Sequence, residues 1–209
     1  MSGGGDVDPV WSALRWAGAL ALALAGLSAF VARGQTQAAD QWVLKQAQAI
    51  PSYPLGVATT LFNVLGQSEV TGPIAVVLAF VWWRRDGVRG LVPLLLFVGV
   101  ALEIALKHAV PHASPSPALS RNLHLLPFLK SAAPYSFPSG HMLRTVFLAA
   151  LVAERPVFWS VVLAMAFTLL YLSERWASDV VGGALLGFVL AGVAAAIYGG
   201  RTASRGRRR

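Results

Sequence analysis

Cysteine is absent from the 209 residues, which removes thiol catalysis and thiolate metal sites from consideration. Charge is scarce as well. Only 12% of residues are Asp, Glu, Lys or Arg, about half the share of an average soluble domain. A soluble enzyme of this length needs more polar surface than that to cover its core. The 20 glycines follow no period, which excludes collagen, and 56% hydrophobic content excludes disorder. There is no Walker loop, no Gly-x-Gly-x-x-Gly after a strand and no transporter-like internal repeat. What remains, at a mean hydropathy of +0.62, is a compact multi-span membrane protein.

A membrane helix needs about 20 mostly apolar residues. The uncharged run from Trp16 to Ala32 lies between Arg15 and Arg33. It reads as an anchor rather than a signal peptide, because no small-residue cleavage site follows. The polar, roughly amphipathic stretch from Gln35 to Ile50 is expected on the membrane surface. Six spans are predicted in one membrane domain covering 1–209: about 11–32, 55–83, 90–110, 139–153, 157–172 and 180–199. The second is broken by Gly66, Glu69 and Gly72-Pro73, and it ends at an aromatic interface pair, Trp82-Trp83. The fold class is therefore all-α, a six-transmembrane-helix bundle. Residues 111–138 form a long outer loop holding six of the twelve prolines, and 200–209 a basic tail. Unstructured loops of this length are usually functional or disordered.

The net charge of +8 acquires meaning once it is placed on this topology. With both termini cytoplasmic, ten basic residues fall inside: Arg15, Arg84, Arg85, Arg89, Arg155, Arg201, Arg205 and Arg207–Arg209. Seven fall outside: Arg33, Lys45, Lys107, Arg121, Lys130, Arg144 and Arg175. Three of the seven sit at or near the candidate site, so the positive-inside rule favours this orientation. The tail reads as a topology and anionic-lipid signal. No fold or aromatic pattern supports nucleic acid as a partner.

In this orientation Lys107, the loop ending at His141, and the Arg175–Asp179 segment all reach the outer face. The sharpest string is Pro138-Ser139-Gly140-His141. Four given letters arise in such a chain at a frequency on the order of 10⁻³. Proline can open a helix, and Ser139 and Gly140 then occupy its first turn, where backbone N–H groups lack internal partners and attract phosphate. His141 is placed to protonate a leaving group. Glu103 and Lys107 are spaced i,i+4 on the third span, and Arg144 lies one turn below His141. Intramembrane charges of this kind usually face a bundle interior, and Glu103 is expected to pair with Arg144 or Lys107. A metal site built from Glu103, His141 and Asp179 shows no recognisable ligand spacing. No metal and no cofactor are expected.

These residues resemble the type 2 phosphatidic acid phosphatase and vanadium haloperoxidase superfamily, over roughly 107–179 and in its integral membrane branch. The resemblance implies three motifs: Lys, six residues, Arg-Pro; then Pro-Ser-Gly-His; then Ser-Arg, five residues, His, three residues, Asp. In such proteins the lysine and two arginines clamp phosphate, while the serine and glycine add hydrogen bonds. The middle histidine is the general acid, the last histidine attacks phosphorus, the aspartate orients it, and no metal takes part. Here Lys107, Pro115, the whole middle motif and Asp179 match. Ser114 replaces the first arginine, Thr168-Leu169 replaces Ser-Arg, and Arg175 stands at the nucleophile's position.

The resemblance thus implies catalytic positions at His141, Asp179 and Arg175, and a phosphate site at Lys107, Ser139, Gly140 and Arg175. A guanidinium stays protonated and has no lone pair for attack, but it suits phosphate oxygens. At i,i+4 spacing Arg175 and Asp179 could pair on one helix face. His108, His112 and His124 lack a constraining pattern and are expected to be solvated. The implied ligand is a phosphorylated lipid: phosphatidic acid, phosphatidylglycerol phosphate or a polyprenyl phosphate. One hypothesis is a lipid phosphatase with a non-standard nucleophile. Another is an inactive relative that binds or transports the lipid, and a third is a structural subunit. Turnover is expected to be weak or absent, and partly restored by Arg175→His. Neither the particular lipid nor an oligomeric state follows from the sequence.

Overall fold

The computed structural model describes residues 9–50, 52–123 and 135–206, with side chains as far as Tyr198. His124, Lys130 and Arg207–Arg209 lie outside the described residues. Among the described residues the chain is helical and without strands. The order is α1 (Pro9–Ala32), α2 (Gln37–Gln48), α3 (Tyr53–Val64), α4 (Ser68–Asp86), α5 (Leu95–Ala109), α6 (Gly140–Val152), α7 (Arg155–Tyr171) and α8 (Ala177–Gly206).

α6 is the central helix. Nine of its thirteen residues are buried, from Gly140 to Ala149, because two apolar clusters meet on it. On one side Leu143 and Phe147 pack with Leu96 of α5, Leu186 and Leu190 of α8, and Leu24 of α1. On the other, Met142 and Val146 pack with Val162, Met165 and Leu169 of α7. Glycine permits the closest approach. A Cβ on Gly183 would fall 2.2 Å from the Ser139 carbonyl oxygen, and one on Gly187 would fall 2.9 Å from that of Leu143. The start of α8 is thereby seated directly against the start of α6.

The outer surface is apolar. Trp16, Leu22 and Leu163 are 69%, 76% and 63% exposed, which in water would make an aggregating patch and in lipid is the expected covering. Pro9–Ala32, Ser68–Ala109 and Ala177–Tyr198 are long and apolar enough to cross a membrane, and α6 and α7 are shorter apolar helices. Ser68–Ala109 is not one straight rod. Gly87 takes φ +63°, and the 3₁₀ segment Gly87–Leu94 folds back so closely that a Cβ on Gly90 would fall 2.2 Å from the Trp82–Trp83 backbone.

The expected break in the second span occurs at residues 65–67, around Gly66, and not at Gly72-Pro73. Pro73 lies near the start of α4, where its missing N–H costs only the bond to the Glu69 carbonyl. α2 carries a buried edge, Asp40 and Leu44, and lies against α7 and α8.

Candidate phosphate site

The site forms where α5, α6 and the start of α8 meet. Buried within it is a chain of charges. Lys107 Nζ lies 2.8 Å from Glu103 Oε1, and Arg144 Nη1 lies 3.1 Å from Glu103 Oε2. One carboxylate therefore binds both cations, where the spacing alone suggested either one. Arg144 also donates Nε to the Gly66 carbonyl at 3.0 Å, and its Nη2 lies 3.4 Å from His141 Nδ1. The α3–α4 turn is thus fastened to α6. It also presses on the histidine, since a Cβ on Gly66 would fall 2.7 Å from the His141 ring. His141 Nε2 is buried and has no partner among the described residues.

Gly140 owes its identity to Glu103, because a Cβ there would fall 2.1 Å from Oε1. Ser139 is the N-cap of α6, its Oγ accepting from Met142 N at 3.4 Å. Its own N–H donates to the Asp179 carbonyl at 2.9 Å. That N–H was expected to be free for phosphate and is occupied; the hydroxyl hydrogen of Ser139 is what remains. Arg175 lies in the turn between α7 and α8, partly exposed, and makes no hydrogen bond or ion pair among the described residues. Its charge is close enough to act on Lys107, His141 and Arg144.

The Arg175–Asp179 pair allowed by the spacing does not form. α8 begins at Ala177, so Arg175 precedes the helix and the i,i+4 relation does not apply. Asp179 is fully buried. Its Oδ2 accepts from Trp176 N at 3.0 Å, capping α8 in the manner of the third residue of a capping box. Its Oδ1 lies 2.9 Å from Nδ1 of His112. His112 is therefore not a solvated loop residue. Its side chain is 14% exposed, its carbonyl accepts from Ser136 N at 2.8 Å and from Ser136 Oγ at 3.0 Å, and its ring leans on Trp176 at 6.2 Å. Nε2 of the same ring is 3.8 Å from Asp40 Oδ2. Asp40 is itself held by Ser178, whose N and Oγ both donate to it at 2.8 Å.

Sequence reasoning missed His112 as a partner of Asp179, and Asp40 altogether. Neither contact leaves a local pattern, since they join residues 67 and 138 positions apart. The one available signal was for Asp40, an acidic residue sharing the buried face of an otherwise amphipathic helix with Leu44. His108 is exposed, its Nδ1 2.8 Å from the Ile104 carbonyl, as its position beside Lys107 on the helix leads one to expect. Arg121 does not replace a missing clamp. It donates to the Gln48 and Ile50 carbonyls and stacks over Tyr171 at 4.9 Å. There it walls a separate cavity of about 340 Å³ with Tyr53, Val57 and Leu123.

No family model matches the sequence and no curated protein does. Solved structures do. A PAP2-type transmembrane phosphatidylglycerolphosphate phosphatase from Bacillus subtilis is similar to this chain at a TM-score of 0.69 and 22% identity, covering 85% of this chain and 93% of its own. The chain has the fold of a PAP2-type membrane phosphatase. LpxE of Aquifex aeolicus is similar at a TM-score of 0.55 and 21% identity, covering 74% of this chain and 93% of its own. Lys107, His141 and Asp179 lie on separate helices of this fold, α5, α6 and α8. Among the described residues no cluster of three His, Cys, Asp or Glu suits a metal ion.

Proposed function

We propose that this protein binds the phosphate head group of a membrane lipid at the junction of α5, α6 and α8, as a member of the lipid phosphate phosphatase type. The observation that carries this reading is the charge around His141. Lys107, Arg144 and Arg175 bring three positive charges to it, with Glu103 bridging the first two and Glu69 also acting on Arg144, and of the three only Arg175 is without an ion pair among the described residues. Its planar, multi-donor cation fits phosphate oxygens. The Ser139 hydroxyl and the N-terminal turn of α6 add donors. The fold supports a phosphorylated lipid as ligand, in keeping with the apolar exterior.

The topology belongs to the same proposal. Six spans with both termini in the cytoplasm put the site at the outer leaflet of the cell membrane, consistent with the distribution of lysine and arginine. A second reading, an anion-binding protein without turnover, is favoured by one observation: a guanidinium stands where the resemblance implies a nucleophile.

Binding is tested by thermal unfolding of detergent-purified protein with orthovanadate. At a hundred times its dissociation constant, a ligand adds roughly 2.7 kcal/mol. Absence of any shift across millimolar vanadate would refute the anion site.

A further inference from the structure

We infer that His112 is the nucleophile of a phosphatase reaction, replacing the histidine whose position Arg175 occupies; this rests on the phosphate site proposed above. Three features carry it. Asp179 accepts from an imidazole, but from the ring of His112, at 2.9 Å from Nδ1. A proton fixed on Nδ1 leaves the Nε2 lone pair available for attack. Secondly, Nε2 has no hydrogen-bond partner among the described residues. Asp40 at 3.8 Å is beyond hydrogen-bond reach, and both its oxygens are held by Ser178. Thirdly, the ring is held by Asp179 and Trp176, and the His112 carbonyl is held by Ser136. A histidine with no task in a proline-rich loop does not need that much positioning.

The two residues divide the work of one. Arg175 supplies cationic charge to the phosphate oxygens, and His112 supplies the electron pair. The Nε2 lone pair forms a bond to phosphorus as the bond from phosphorus to the ester oxygen breaks. That oxygen leaves with the bonding pair and takes a proton from His141. Water then attacks phosphorus, the nitrogen–phosphorus bond breaks back onto Nε2, and the water's proton goes to His141. The phosphorylated ring carries Nδ1–H and a positive charge, which Asp179 and nearby Asp40 offset.

The experiment uses the full chain in detergent with radiolabelled dioctanoyl phosphatidic acid, dioctanoyl phosphatidylglycerol phosphate and farnesyl phosphate, each quenched in alkali. The expected result is phosphate release from at least one of them, with acid-labile, alkali-stable label on the peptide containing His112. His112→Asn and His112→Ala are expected to lose at least 10³-fold in release, within the roughly 10⁶-fold cost of removing a covalent nucleophile. Vanadate should still shift their unfolding, which separates lost chemistry from lost folding. Release that survives in both variants, or label on another residue, overturns the role of His112 and leaves the phosphatase reading standing. No release from any of the three substrates, with vanadate binding intact, overturns the nucleophile and leaves the anion site. Loss of vanadate binding in the wild type overturns both.

Discussion

Arg175 and Lys107 carry the same charge and both belong to the proposed site, yet the protein holds them differently. Lys107 is 4% exposed and paired with Glu103, whereas Arg175 is partly exposed and free. Their substitution should therefore separate stability from binding. Lys107→Ala leaves Glu103 with one cation in place of two, and breaking a buried pair costs about 3–5 kcal/mol. Arg175→Gln removes no hydrogen bond or ion pair among the described residues, so the unliganded melting temperature should hardly move while the vanadate-induced shift is largely lost. Thermal unfolding of both variants with and without vanadate checks this, and equal destabilisation by the two would contradict it. Arg175→His is likewise expected to lower phosphate release, against what the resemblance alone implies. Both oxygens of Asp179 are already engaged, by Trp176 N and by His112, so a new imidazole at 175 finds no orienting partner and the guanidinium is lost. A gain in release by that variant would show that Asp179 can exchange partners.

The seam between α6 and α8 is where small side chains govern how the helices pack. Gly183→Ala would drive a Cβ into the Ser139 carbonyl at 2.2 Å, and overpacking of this kind costs typically about 1–3 kcal/mol. It should also weaken vanadate binding, because Asp179 and Ser139 move apart. Gly26→Ala on α1 meets nothing within 4 Å and should be neutral or stabilise by up to about 1 kcal/mol; denaturation in mixed micelles distinguishes the two. Much at this scale was legible in sequence. The apolar runs located the helices and Pro138–His141 marked the head of α6, while of the three interruptions at Gly66, Glu69 and Gly72-Pro73 only Gly66 falls at the break between α3 and α4. What was not legible depends on how helices dock. The spacing of Arg175 from Asp179 is helical although α8 begins two residues after Arg175, and the loop around His112 carries no sign of its partner at the head of α8.

For the molecule as a whole, the expected topology is open to a direct check, because the chain has no native cysteine to interfere. Single cysteines at Ser116 and Ser204 should react with impermeant reagents from opposite sides of the membrane; reaction of both from one side would sink the six-span arrangement. The connection between Asp40, Ser178, Asp179 and His112 also bears on the order in which the protein comes into being. Chains emerge from the ribosome N-terminal end first, and α8 follows every other helix described. Until it docks, Asp40 has no Ser178 to hold it, His112 has no carboxylate, and the Ser139 N–H has no acceptor. The helices that precede it can enter the bilayer and pack one by one before these contacts exist. A nascent chain halted before α8 would have its earlier helices without these contacts, and the proposed site would be assembled only when α8 is complete.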